Sequence, residues 1–436
     1  MPGMGGDHGN SASSALAVAF HRSLLHQWFI VLAVLVVLFV LWNLLRLAAL
    51  RARARDHQGT ALRAPSMPAE PVARRLLRIS LGGLWLLDGL LQSQSAIPAS
   101  LANAVIKPVA SASSSWVTRF TNQAIVVWNS HPVTAATAVF WIQIGLALWL
   151  LSASRGLLSR VGGYASVCWA LVIWIFGEVF GGLLAPGYSW LFGAPGAALV
   201  YLVIGILVGL PDRFWSSARL GLEIVRSLGA FLIIMAIVQA WPGRGFWHGR
   251  TDKTSFSGTL PRMLKIMAQS PQPKLFRSVV EHVASLSTSH GFALNLVVVL
   301  LIGLLGCMFL FCTMRDGRPR VLLGALPLLP FVILYLVISV AVWVSIQDLG
   351  FFGGVGTDPN SMIPIALLLF GGYLATETDA SIQGFEIAPL NLSARGSIST
   401  LRSKIERDPI QSLRTFIAVG ALFITLLGAV PVMALL

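Results

Sequence analysis

Ionisable side chains inside long apolar runs are the residues of this sequence best placed to do chemistry. A charge within a bilayer is costly and is kept for a site or for a polar contact between helices. Asp88 lies ten residues beyond Arg78 in one such run, about 15 Å along a helix. Gln92 follows one turn later on the same face. The pair can hydrogen-bond a quinone carbonyl, hold a proton, or brace another helix. Glu178 and Asp348 each end an apolar run shortly before a Gly-Gly pair. A carboxylate at a helix C-terminus opposes the macrodipole, so each calls for a compensating partner. His131 and His290, at the outer mouths of the preceding hairpins, are the candidates; solvation by headgroups and water is the alternative for both. Asp88, Gln92, His131 and Glu178 are therefore expected to line one cavity, and Gln239, His290 and Asp348 its degenerate copy. His8, His21 and His26, beside Met1, Met4 and Asp7, offer copper or zinc ligands. Their irregular spacing fits equally a disordered tail followed by an interfacial helix.

The elements that must position these groups are membrane spans. The chain has 436 residues, 56% hydrophobic and 11% charged, which excludes an ordinary soluble domain and suits the bilayer as solvent. Apolar runs occupy 28–50, 76–94, 132–152, 161–184, 194–210, 224–241, 291–313, 321–346, 363–375 and 413–436. The fold class expected is an all-α integral membrane protein of about ten transmembrane helices. The ninth run reaches only about 20 Å of a core of about 30 Å, so it is short, tilted or re-entrant. Cys168, Cys307 and Cys312 fall in or at the edge of apolar runs and form no CxxC pair.

Lys and Arg outnumber Asp and Glu by 31 to 17. Of these 31 basic residues, 21 cluster in alternate loops and 10 lie on the other side, the positive-inside pattern. It places both termini outside. The Arg-rich stretch at 51–55 is juxtamembrane and suits anionic lipid rather than nucleic acid.

Self-similarity at long period organises the runs. Ser80-Leu81-Gly82 matches Ser227-Leu228-Gly229, and the same offset of 147 carries Gln92 onto Gln239. At 159, Leu101, Trp116, Ala124, Val127 and His131 fall on Leu260, Leu275, Val283, Leu286 and His290; at 170, Glu178 falls on Asp348. Pro195 and Pro364 lead the last helix of each copy. Both copies enter from one side, a parallel tandem duplication. In the outer segments, Leu275, Phe276, Val279, Val280, Val283 and Leu286 oppose Lys274, Arg277 and Glu281, an interfacial helix. Trp128 and Trp190 are expected as belt anchors. The chain thus divides into an extracytoplasmic tail (1–27), an anchor (28–50), four-helix units at 76–210 and 224–375, a cytoplasmic segment (376–412) and a last helix (413–436).

A four-helix unit with a long amphipathic outer segment, a basic cytoplasmic hairpin and an acid closing its third helix resembles the DoxX/DoxD-like membrane protein family. The resemblance covers residues 74–376, twice over, with an extra helix at each end. It implies a multi-pass protein of a prokaryotic inner membrane and, from DoxD, a subunit of a thiosulfate:quinone oxidoreductase. Quinone is then the implied cofactor, with a partner subunit or a homo-oligomer in the bilayer. A transporter or scaffold subunit without chemistry is the alternative. The chain carries no phosphate loop, dinucleotide fingerprint, HExxH site or nucleophile elbow. The charge partition predicts that cysteines placed at Ser189 or Ser361 are labelled from outside sealed cells and those at Ser154 or Gly317 are not. Labelling of the second pair overturns the orientation.

Overall fold

The computed structural model describes residues 7–55, 70–185, 187, 189–248, 258–352, 355–377 and 409–435. The expected cytoplasmic segment 376–412 lies almost wholly outside these residues. All ten apolar runs fold as helices: α1 (Asp7–Arg55), α2 (Val72–Gln92), α6 (Pro132–Ser152), α7 (Gly156–Val172), α8 (Ala197–Gly209), α9 (Ala218–Ala240), α12 (Gly291–Leu310), α13 (Leu329–Ser345), α14 (Met362–Thr376) and α15 (Pro409–Leu435). Between α2 and α6 run the short α3 (Ile97–Ser100) and α4 (Lys107–Ala112), then α5 (Ser115–Ser130); between α9 and α12 run α10 (Thr259–Gln269) and α11 (Lys274–Ser289). Among the described residues, six helices are long and apolar enough to cross a membrane, and α8, α13 and α14 are shorter apolar helices. The tenth, α2, carries Arg74, Arg75, Arg78 and Asp88. The chain is a helical membrane protein.

The repeat offsets reappear as geometry. Helices α5 and α11 span residues exactly matched at the offset of 159, and His131 and His290 end them with the same backbone, φ −134° and −128°. Gly82 of α2 packs against Ala147 and Leu151 of α6 as Gly229 of α9 packs against Gly306 and Leu310 of α12. Leu77 of α2 touches Gly371 of α14, and its counterpart at 147, Ile224 of α9, touches Gly372. Helices α2 and α9 therefore begin at one level and run in the same sense. Each unit places a central helix pair, α2 with α6 and α9 with α12, and α14 joins the units by packing on both α2 and α9. The extra helices at the two ends both rest on the first unit: α15 lies along α6, and α1 meets α6 where Gln27 accepts a 2.8 Å hydrogen bond from the Trp141 indole. Small residues permit the close approach, since a Cβ at Gly163 of α7 would lie 2.8 Å from the Gly209 nitrogen of α8.

Several expectations change. Residues 7–27 are helical and continuous with the first span rather than a tail. The fourth span ends at Gly177 in a π-helical turn, not at 184. The turn between α12 and α13 is a small antiparallel sheet, β1 (Thr313–Arg315), β2 (Arg318–Val321) and β3 (Leu326–Pro327), which an all-α reading does not include. Trp128 and Trp190 are buried in the protein instead of anchoring it at the interface. Trp128 donates to the Pro98 carbonyl at 3.1 Å. Ser189 and Ser361 are also fully buried, so exposed Asn129 and Ser289 replace them as labelling positions on the side expected to be outside.

At the basic ends of the helices, Glu70 binds two buried arginines. Its carboxylate accepts from Arg74 at 2.9 Å and twice from Arg78 at 2.8 Å. Arg74 also donates to the Val208 carbonyl of α8 and to Ser154, and Arg78 to the Leu150 and Leu151 carbonyls of α6. These are among the last carbonyls of their helices, which have no partner within the helix. Glu70→Ala leaves buried Arg78 without a carboxylate and Arg74 with only the exposed Asp212, 3.6 Å away, and a loss of about 3 kcal/mol is expected from unfolding in detergent. Glu223→Ala, at an exposed pair with Arg226, changes stability by less than about 1 kcal/mol.

Candidate functional site

Helix α2 presents Trp85, Asp88 and Gln92 on one stripe, at i, i+3 and i+7. All three are buried and line a cavity of about 890 Å³ in the first unit. Tyr201, one turn into α8, reaches Asp88 with its hydroxyl at 3.3 Å. The two rings Trp85 and Tyr201 meet edge to face at 4.9 Å between centroids, and the Trp85 indole donates to Ser166 Oγ at 2.7 Å. Gln143 enters from α6, and α5 closes the outer wall with Asn122 and Gln123.

Glu178 follows the π-helical turn of α7, where Val179 and Phe180 take positive φ and swing the chain round. Its side chain reaches the start of α8, accepting a 3.0 Å hydrogen bond from the Ala198 amide. The carboxylate that opposes the dipole of its own helix thus sits at the positive end of another, a favourable place for an anion. This corrects the expected histidine partner. Gly196, with φ 93°, leaves the space that the second carboxylate oxygen occupies.

The second unit supplies part of the same wall. Its segment before α14 brings Asp358 and Asn360 into the first unit's cavity. Asn360 fills the space beside Gly193, whose φ of 97° and missing Cβ admit it. The Gln94 side chain holds the segment by donating to the Gly356 carbonyl at 3.0 Å. Asp358 accepts from Thr357 Oγ1 at 2.8 Å and from the Asn360 amide at 2.7 Å. Burial raises its carboxyl above the ordinary range despite both bonds. Tyr201, Gln143 and Asp358 were not among the expected site residues. Asp358 had one sequence signal, an acid in an outer loop that holds no basic residue.

Of the expected first set, Asp88, Gln92 and Glu178 come together and His131 does not; His131 is exposed at the corner between α5 and α6. The expected second set does not form a copy of the cavity. Gln239 donates to Asn295 Oδ1 at 2.7 Å, both buried. His290 is exposed, its Nδ1 2.8 Å from Ser289 Oγ, and Asp348 is buried elsewhere. The repeat register also shifts by one at the reversal. Trp174 donates to the Pro195 carbonyl at 2.9 Å as Trp343 donates to the Pro359 carbonyl at 2.8 Å. The left-handed turn of Val179, Phe180 and Gly181 matches Asp348, Leu349 and Gly350. Glu178 therefore corresponds to Gln347, and Pro195 to Pro359 rather than Pro364.

His21 and His26 stand five residues apart on α1, about 140° around a helix, and both are exposed. The side chain of His8 lies outside the described structure. Among the described residues no group of three or more His, Cys, Asp or Glu side chains converges on a metal position. The three cysteines are free.

The chain matches no family model, and no curated protein or solved structure matches it.

Asp348 carries a prediction of its own. Burial pushes its carboxyl up to about 6, with Gln272 acting in the opposite direction. A carboxyl raised above its unfolded value binds more protons in the folded state, so stability falls as pH rises from about 4 to 6. Asp348→Asn suits the positive φ of 51° at this position. It is expected to match the parent protein at pH 4 and to exceed it at pH 7.5 by at most about 3 kcal/mol, read from pH-dependent unfolding in detergent.

Proposed function

We propose that the chain is the membrane subunit of a quinone-linked oxidoreductase and that the first unit's cavity takes the quinone head. One observation carries this reading: a cavity of about 890 Å³ with mostly apolar walls gathers Asp88, Tyr201, Gln92 and Gln143 within it. That combination of size, aromatic lining and a few placed polar groups characterises small-molecule sites. The resemblance to the DoxX/DoxD-like family points the same way and extends the reading to a reduced sulfur compound as electron donor, with a partner subunit delivering the electrons. A quinone takes up two electrons and two protons. Asp88 and Tyr201 are the chain's own groups for holding a proton beside the head, and the two Gln side chains orient it by hydrogen bonding. The protein is further proposed to sit in a prokaryotic inner membrane with ten spans and both termini outside.

A second reading, a transporter or scaffold subunit without chemistry, has a specific observation behind it. The cavity wall is shared between the two units through Asp358 and Asn360. A relative movement of the units would open it, as alternating access needs.

Substitution at Asp88 separates these roles from a structural one. Asp88→Asn keeps the shape and the hydrogen bond to Tyr201 but replaces a carboxylic O–H donor by an amide N–H and holds no exchangeable acid proton, so folding is retained while decylubiquinone binding falls by about two- to tenfold, the value of one neutral hydrogen bond. Asp88→Met copies Met235 of the sister unit and is expected to be as stable as the parent protein. If both variants fail to assemble while surviving protein binds decylubiquinone normally, Asp88 is a packing residue.

A further inference from the structure

The charge of the cavity is one-sided. Asp88 from α2, Glu178 from the turn after α7 and Asp358 from the second unit line it, and among the described residues no Lys, Arg or His does. Three separate chain segments thus bring acids to one partly open space, with no countercharge among the described residues that line it. Two neutral side chains add to the pattern. Gln92 and Gln143 are 4% and 2% exposed, line the cavity, and leave their Oε1 atoms without a hydrogen-bond partner. Glu178 Oε2 is unpartnered as well. A buried acceptor left unpaired is costly, and acceptors in this position await a donor. The carboxylates do not close on one metal position; they stand around a space large enough for an organic molecule. Trp85, Trp169, Phe176 and Phe192 provide the remaining walls. Aromatic faces attract a cation by their quadrupole, most strongly where water is excluded.

We propose that this cavity is a binding site for an apolar organic cation, a protonated amine carrying an aromatic or alkyl body. The ammonium donates to the Gln92 and Gln143 amide oxygens and balances the charge of one carboxylate, while the apolar body lies against the aromatic walls. The inference goes beyond the quinone reading: both ligands would occupy one cavity, the neutral head with the acids protonated and the amine with one of them ionised.

The test compares 4-octylbenzylamine with 4-octylbenzyl alcohol, which has nearly the same shape and no charge, by calorimetric titration of the full chain in a neutral detergent. The amine is expected to bind at least about tenfold tighter than the alcohol. Asp88→Asn and Asp358→Asn should each erase most of that preference and leave the alcohol's affinity unchanged, with thermal melting confirming that both variants are folded. Equal affinity for amine and alcohol overturns the inference. So does a preference that survives both substitutions, since it would then arise from the detergent or the protein surface. Decylubiquinone titrated in parallel keeps the two readings apart. Quinone binding without amine preference removes the cation site and leaves the quinone reading standing. Amine preference without quinone binding does the reverse.

Discussion

A helix end buried among apolar residues has backbone groups that water cannot reach, and the architecture of the first unit follows from how those groups are satisfied. Helix α8 has 13 residues, about 20 Å at 1.5 Å per residue, against a hydrocarbon core of about 30 Å. Both of its ends are therefore enclosed by protein. Glu178 accepts from the Ala198 amide at the N-terminal end; Arg74 and Arg160 donate to the Val208 and Gly209 carbonyls at the C-terminal end. Each charge complements the dipole it meets. Arg78 treats the end of α6 in the same way, and Arg226 donates to the Cys312 carbonyl beyond α12. The cavity exists because α8 is short: its amino end stops below the outer segments, and the space above is walled by α5 and by the chain reversals at Glu178 and Asp358.

The two units keep one scaffold and fill it differently. The glycine contacts of the α2–α6 and α9–α12 pairs recur position for position, since close packing of two helices tolerates little change of side-chain size. The residues facing the interior do not recur. Asp88 becomes Met235, and at the offset that aligns Pro195 with Pro359, Tyr201 becomes Ile365. Gln239 is retained, but Asn295, where the first unit has Ala136, closes on it. Gln239 and Asn295 thus meet each other, with Gln239 Oε1 and Asn295 Nδ2 left without a partner. The asymmetry comes from a handful of interior substitutions on a shared frame, Glu178 to Gln347 and Gln143 to Ile302 among them.

The second unit serves the first through its segment before α14. Gly193 accepts it because its conformation, φ 97°, and missing Cβ atom leave space for Asn360. Asp358 thereby enters a cavity lined mainly by helices more than a hundred residues earlier. The site belongs to the junction of the units, and any movement between them is felt at its carboxylates.

Much of the fold was legible in the residues themselves. The apolar runs mark ten of the helices because helix formation in an apolar setting depends on local composition, and the offsets of 147 and 159 mark the repeat because equivalent helices need equivalent small residues. Asp88 and Gln92 stood out for the same local reason: polar groups in the last turns of an apolar helix, one turn apart. Beyond the helix ends that legibility stopped. Glu178 looks unfavourable on its own helix and finds its partner on α8, which depends on three residues of positive φ that the sequence does not announce. His131 and His290 share a turn with their helices but point away from the cavities assigned to them. Tyr201, Gln143 and Asp358 join the site only through packing of α6, α8 and the second unit's loop against α2. Spacing along the chain determines which side chains share a helix face; where chain reversals turn and how two units dock determine which faces meet, and those are properties of the tertiary structure.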